Sequence, residues 1–453
     1  MMLTQLGTML FGVVDTLMVG RVGVAELDAA ALGNVWLWGT IVFGLGIVFG
    51  LDPIIAHAHG RGDGSRAGLT LQRGLVVALV ISLPLMASMA LAEEVLVLLG
   101  QNPELAAQAE IYLNVQVWSL PAFLGFMTLR QYLQGREIIA PALWVVMIAN
   151  LLNVVGNELL IFGVDAIGLP ALGLVGAGLA TGITRTALFL GLALWIWRAN
   201  LHEGAWQPWS RAAIDPRGLL EILRYGVPVG IQYLLEVWAF QFATLVAGDL
   251  GERELAAHSI VLNVASLTFM LPLGISFSAS ALVGSQLGAG RREEAQRIAW
   301  LALGFGAAVM VVCALGLVAT RGLIPRLYTD DLGVVMLAAS IFPIAGAFQV
   351  FDGVQVVGGA ILRGMGDTRP AVAFNLVAYY LLALPLAIWL VFGRGGGLPE
   401  LWWSLVLGLG VVAVSMVVWV GLRGPARRGS TEDRRSSPVE PDSRAASPGG
   451  AVI

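Results

Sequence analysis

TLMVGRVGVAELDAAALGNVWLWGTIVFGLGIVFGLDPIIAHAHGRGD (16–63) and TLVAGDLGERELAAHSIVLNVASLTFMLPLGISFSASALVGSQLGAGR (244–291) are two versions of one segment. They align without a gap at a constant offset of 228, with 14 of 48 positions identical, where chance at this composition gives roughly four. A second stretch, LQGREIIAP (133–141) against LRGMGDTRP (362–370), matches at offset 229. The chain is therefore two copies of one unit in tandem.

What the unit is made of follows from composition. Of 453 residues, 57% are hydrophobic and only 12% charged, with 57 Gly and a mean hydropathy of +0.81. Soluble domains carry about 25% charged residues. The deficit excludes a soluble enzyme, a nucleic-acid binder and a disordered scaffold. The single Cys313 excludes a disulfide framework or a cysteine metal cluster, and the net charge of -4 comes without a basic block. Each unit is a membrane domain.

A spanning helix needs about 20 mostly apolar residues. Twelve such runs are present: 1–20, 32–56, 74–99, 111–134, 142–163, 174–197, 226–248, 258–284, 297–320, 333–361, 370–393 and 401–422. They are too long and too uniformly apolar for the alternating strands of a barrel. Met1–Gly20 lacks the basic start and small-residue cleavage site of a signal peptide and carries Asp15. It is expected to remain as the first span, with its start trimmed.

The expected fold is an all-α polytopic membrane protein with twelve transmembrane helices in two pseudo-symmetric six-helix lobes. The N-terminal lobe covers 1–197, a cytoplasmic linker 198–225 and the C-terminal lobe 226–422. Residues 423–453 are too rich in Pro, Ser and Arg to pack and are expected to be a disordered cytoplasmic tail. Six spans per unit is an even number, so both lobes insert the same way up, related by an axis along the membrane normal. Two lobes facing each other across a cleft suit a rocking, alternating-access transporter.

Arginine placement orients the chain. The loops after even-numbered spans and the tail hold 20 of the 26 arginines, the loops after odd-numbered spans five, and Arg185 sits inside span six. Both termini are expected in the cytoplasm of a cell whose plasma membrane the chain crosses. The Trp402-Trp403 and Trp195/Trp197 pairs at span ends read as interfacial anchors.

A carboxylate near the bilayer centre costs about 2.5–3.5 kcal/mol on insertion scales, so each one demands a reason. Five candidates lie within the spans: Asp15, Asp52, Glu158, Glu236 and Asp352. The repeat sorts them. Asp15 pairs with Ala243, Glu236 with Thr8 and Asp352 with Phe123. Acids present in one half only are better candidates for function than for fold.

Helical spacing supplies their company. Glu236 shares a face with Gln232, Tyr233 and Phe240, and Asp352 with Gln349 and Gln355. Asp15 continues a stripe from Thr4 and Thr8, while Asn150, Asn153 and Asn157 line one face of span five. Polar stripes also serve as helix–helix glue, a role that suits the asparagines better than the acids. Asp52, before Pro53, is expected to cap or snorkel, and Glu158 has no assigned role. His57 and His59, at i and i+2, cannot share a helix face, so no metal site is expected beyond a transported Na+. No zinc-protease, phosphate-loop or nucleophile-elbow motif is present. The chain does not read as an enzyme, and no cofactor is expected.

These residues resemble the multidrug and toxic compound extrusion (MATE) family over essentially the whole chain, Met1 to about Arg423. The motifs are VVDTLMVG (13–20), LAAHSIVLN (255–263), ALVGSQLGAG (281–290) and FDGVQVVGGAILRGMGDTRP (351–370). The resemblance implies export of bulky, often cationic, organic compounds in exchange for Na+ or H+. Asp15 matches the family's first-span acid, and Glu236 and Asp352 match the C-lobe acids of its NorM-like bacterial branch. Asp15, Asn150, Asn153 and Asn157 are thus expected to bind substrate or proton. Glu236, Asp352, Gln232, Tyr233, Gln349 and Gln355 are expected to hold the coupling cation. The partners expected are small organic substrates and the lipid bilayer, with no nucleic acid, for a chain that works as a monomer. Asn157 stands where some members carry an acid, His57, Ser259 and Ser285 where Gln is usual, and Phe348 lacks a tyrosine's hydroxyl.

Three other readings compete. A lipid-linked saccharide flippase would favour several basic residues in the cleft, and the spans offer only Arg185. A major facilitator transporter is faintly echoed by GRGDGSRAG (60–68), but GAGRREEA in the second half lacks the charge pair expected there. A membrane-embedded enzyme would need a catalytic cluster, and none stands out.

Overall fold

Without water in the bilayer core, every backbone N–H and C=O must be satisfied within its own segment, and a helix does this. The computed structural model describes residues 2–164 and 168–427, so the expected disordered tail lies outside the described residues from 428 onward. The first half contains α1 (Met2–Val19), α2 (Val24–Phe49), α3 (Leu51–Gly60), α4 (Gly64–Ala90), α5 (Ala92–Leu98), α6 (Pro103–Val117), α7 (Leu120–Gly135), α8 (Ala140–Phe162) and α9 (Gly173–Arg198). The second contains α10 (Pro216–Leu250), α11 (Glu252–Gly288), α12 (Arg292–Thr320), α13 (Leu332–Gly364), α14 (Arg369–Asn375), α15 (Leu384–Ile388) and α16 (Leu398–Arg423). Among the described residues the sole β feature is an isolated bridge between Val164 and Leu169.

Ten helical segments are long and apolar enough to cross a membrane. The shorter α1 and the broken pair α6–α7 complete twelve spans. The breaks have local causes. α2 and α3 form one 37-residue segment that yields at Gly50, just ahead of Pro53, whose nitrogen cannot donate. The fourth span is cut at Trp118–Ser119, where Ser119 turns its hydroxyl onto the Gln116 carbonyl at 2.6 Å. The eleventh is π-helical at Leu376–Ala383 and Trp389–Gly393.

The stretch 198–225 differs from a plain linker. α10 starts at Pro216, well ahead of the expected span start, with Asp215 capping it by accepting from the Gly218 N–H at 3.1 Å. Gln72 Nε2 of α4 donates to the Gln207 carbonyl at 2.5 Å, and Arg66 pairs with Glu221 at 2.8 Å. Ala205 and Ile222 are buried in the apolar core of the first half. The segment is docked onto α4.

Apolar side chains gather into two main cores, one between residues 37 and 222 and the other between 239 and 420. The halves meet through glycines. A Cβ on Gly46 of α2 would lie 2.3 Å from the Gly230 Cα of α10. A Cβ on Gly60 would lie 1.9 Å from the Ser285 carbonyl oxygen, and one on Gly288 would lie 2.3 Å from that of His57. The last two contacts are the same contact seen from either side, because 60 and 288, like 57 and 285, are repeat-related. The pseudo-two-fold axis passes between them. The hydrogen bonds, ion pair and ring contacts that Phe49, Asp52, His57, Arg130 and Gln134 make with the second half lie toward this arginine-rich end.

Candidate functional site

In the first half, α1 carries Asp15 one turn before its end, 7% exposed. Asn157 Nδ2 of α8 donates to Asp15 Oδ1 at 2.6 Å, and Thr181 Oγ1 of α9 donates to Oδ2 at 2.8 Å. Asn157 also reaches Asn153 Oδ1 at 3.4 Å. Three helices thus converge on one carboxylate through neutral donors. Asn150 is placed elsewhere: its Nδ2 donates to the Gly7 carbonyl at 2.8 Å and to Val146 at 2.9 Å, joining α8 to α1.

In the second half, α10 and α13 bring Glu236 and Asp352 together. Both are buried, within electrostatic range of each other, and no basic side chain among the described residues pairs with either. Gln355 Nε2 donates to Glu236 Oε2 at 3.2 Å. Gln232 faces Gly359 of α13, its Nε2 3.3 Å from where a Cβ would stand. Gln349 turns away to donate to Thr268 Oγ1 of α11. Tyr233 turns toward the other half, receiving Arg363 Nη1 at 3.3 Å and standing edge-on to Phe49 at 5.8 Å.

Burying two carboxylates without a counter-charge is costly unless a cation or protons neutralise them. Glu236, Asp352 and the Gln355 amide form an oxygen-rich group that a small cation or exchangeable protons suit. Tyr379, from the π-helical stretch, adds a hydroxyl near both acids, and that hydroxyl has no partner among the described residues. The aromatic rings of Phe240, Tyr379, Phe348 and Trp402 pack edge-to-face at 5.6–6.1 Å beside them.

Sequence reasoning did not reach Tyr379 or Thr181. Neither shares a span with an acid, so helical spacing from the carboxylates could not find them. Thr181 did leave a trace: it lies one turn from Arg185, the arginine that the sequence places inside span six.

Asp52 neither caps nor snorkels. It is 2% exposed, and Arg363 Nε of α13 donates to its Oδ2 at 2.8 Å, an ion pair across the two halves. Ser280 donates to the same oxygen at 3.2 Å, and Gln131 donates to Oδ1. Arg363 also sits over the Phe49 ring at 5.4 Å. Arg130, 4% exposed, donates to Gln5 and lies over Phe277 at 5.1 Å. Two of the arginines counted for orientation are therefore internal. Glu158 is exposed near the end of α8. His57 meets the Gly364 carbonyl at 3.0 Å, and no group of three or more His, Cys, Asp or Glu that could hold a metal is found among the described residues.

The MatE family model matches residues 1–159 and 228–389. A probable multidrug resistance protein NorM of Bradyrhizobium diazoefficiens is 35% identical over 424 residues, covering 92% of this chain and 90% of that one. Multidrug and toxin extrusion protein 2 of Mus musculus is 29% identical over 419 residues, covering 92% and 72%. In structure, the chain is similar to the eukaryotic MATE transporter AtDTX14, with a TM-score of 0.87 at 23% identity over 94% of each chain. It is also similar to an outward-facing conformation of a MATE family transporter, with a TM-score of 0.83 at 20% identity over 94% of each.

Proposed function

The chain belongs to the MatE family of multidrug efflux transporters, and from that premise we propose that it expels bulky, often cationic organic compounds in exchange for Na+ or H+ by alternating access. The observation that carries this reading is the buried pair Glu236 and Asp352, which lacks a basic partner and so calls for a cation. Asp15 provides a second, separate acid in the other half. The flippase and facilitator readings are not favoured.

A ligand shifts a conformational equilibrium only by its differential affinity for the two states. With the halves tied at the arginine-rich end, an opening toward the acids would lie on the opposite side. We assign the arginine-rich end to the cytoplasm, with both termini there, and this arrangement to the outward-open state. The ion enters from outside, neutralises Glu236 and Asp352, and favours the arrangement of the second half that releases the drug. The chain acts as a monomer, because both acid sites and the cleft between them lie within one chain.

Purified protein in proteoliposomes, preloaded with a fluorescent organic cation, tests this. An imposed Na+ or H+ gradient should drive the dye uphill, and one of the two ions should suffice alone. Transport indifferent to both gradients would refute the exchange.

A further inference from the structure

The connection between the halves presents an apolar and basic face that ion-coupled exchange does not use. Its other side runs down α4 in register. A Cβ on Gly64 would lie 2.2 Å from the Gly204 carbonyl oxygen, and one on Gly68 would lie 1.8 Å from that of Ala205. Gln72 Nε2 donates to the Gln207 carbonyl at 2.5 Å, and Arg73 Nε donates to that of Ala212 at 3.1 Å. Gly64 and Arg73 are about 14 Å apart along the helix axis at 1.5 Å per residue. Arg73 is the last charged residue of α4, and everything after it is span. Residues 206–212 therefore lie at the level where α4 enters the membrane.

The outward side is apolar at this level. Trp206, Trp209, Ile214 and Leu220 are 40%, 55%, 59% and 65% exposed, and the two indoles stand edge-on at 6.1 Å. Facing water, such a group would be unfavourable. At the headgroup level an indole gains, because its ring is apolar and its N–H stays wet.

Charge is sorted between the same two sides. Glu221 pairs with Arg66 of α4 at 2.8 Å, and Asp215 caps α10 while lying 3.8 Å from Arg73. Both acids are thus engaged on the docked side. Glu203 precedes Gly204, at the end of α4 farthest from the span. Arg211, Arg217 and Arg224 are exposed, and their side chains make no hydrogen bond or ion pair among the described residues. Arg217, Leu220 and Arg224, at i, i+3 and i+7, share a face of α10 turned away from the buried Gly218 and Ile222. Indoles and free guanidiniums side by side at headgroup depth match a leaflet rich in phosphate-bearing lipid.

We propose that, whatever compound the chain carries, residues 206–224 bind anionic phospholipids of the leaflet at the arginine-rich end. Trp206, Trp209, Ile214 and Leu220 enter the headgroup region, and Arg211, Arg217 and Arg224 hold the lipid phosphates. Each arginine near an anionic leaflet favours that lipid by about fivefold, and salt screens the gain.

The test uses the full chain with Cys313→Ser and Ile214→Cys, labelled with a small environment-sensitive fluorophore. It is placed in nanodiscs made of phosphatidylcholine and phosphatidylglycerol, with bromine on the acyl chains of one lipid at a time. Per mole of lipid, brominated phosphatidylglycerol should quench the label about fivefold or more better than brominated phosphatidylcholine. A label at Val312→Cys, 69% exposed on α12, should show no such preference. Changing Arg211, Arg217 and Arg224 together to Gln should erase the preference at 214 while both lipids still quench. Wild-type arginines in about 1 M NaCl, where the screening length falls to about 3 Å, should show the same loss. Trp206→Ser with Trp209→Ser should weaken quenching by both lipids. These side chains are exposed, so detergent Tm should hold in every variant. No quenching at 214 by either lipid, equal quenching by both, or a preference that survives loss of the three arginines would overturn the proposal. So would a preference abolished by inorganic phosphate at constant ionic strength, which would mark a site for a soluble anion.

Discussion

Asp15, Glu236 and Asp352 divide the work of the residue scale between the two halves. Asp15→Asn keeps the shape and removes the charge; transport should fall to background while expression and detergent Tm hold. Wild-type efflux in that variant would remove Asp15 from the mechanism. Glu236→Gln and Asp352→Asn should each lose ion-triggered release of bound dye while still binding the dye measurably. If both still release dye on addition of Na+ or on acidification, the coupling site lies elsewhere. These three acids were legible because a carboxylate in an apolar span stands out, and because the repeat shows an apolar or neutral residue at each matching position. Their neighbours were legible only along a single helix. Gln355 sits three residues from Asp352 and meets Glu236, whereas Tyr233 meets Arg363 farther along α13 and Gln349 meets Thr268 of α11. Spacing gives the face of a helix, but only packing says which neighbour that face meets.

At the scale of the element, the glycines of α2 and α10 set how closely the halves approach. A side chain at Gly46 collides with backbone, which cannot move aside as a side-chain tip can. Gly46→Leu should cost about 1–3 kcal/mol or more, read as a lower detergent Tm and lost transport. Gly316→Ala in α12, where nothing lies within 4 Å of the added carbon, should be neutral or slightly stabilising, since alanine favours a helix. All twelve spans were legible as apolar runs, because the bilayer demands length and apolarity together. Their interruptions were not. The break at Trp118–Ser119 and the π-helical turns around Tyr379 come from local backbone geometry, which leaves hydropathy unchanged. The docking of the stretch 198–225 was also missed, because its polar composition hides Ala205 and Ile222, which pack into the first-half core.

For the whole molecule, orientation is the first thing to check. Cysteines replacing Ser65 and Ser210 should resist a membrane-impermeant reagent added outside, and one replacing Glu252 should react. Strong external labelling at Ser210 would invert the assignment. The tie between Asp52 and Arg363 is the second. Removing one partner of a buried ion pair typically costs about 3–5 kcal/mol, while replacing both with apolar groups costs far less. Asp52→Asn should lower Tm and widen the distance between spin labels at exposed positions 65 and 293 at the arginine-rich end. The double variant Asp52→Leu with Arg363→Met should regain most of the Tm but keep the wider distance. An unchanged distance in both would mean that the ion pair does not hold the halves together.

Asp52 and Ser280 are repeat-related, and they touch. Contacts that reciprocate about a two-fold axis are those of a homodimer, so the six-span unit carries a surface complementary to itself. In such a dimer, identical residues would confront each other at the axis: two aspartates sharing one site, or two serines with nothing for an arginine to grip. In a single chain the two copies need not match. The acid stands on one side of the axis and the arginine reaches it from the other, with a serine at the acid's repeat-related position. That is an asymmetry two identical subunits could not hold at their axis.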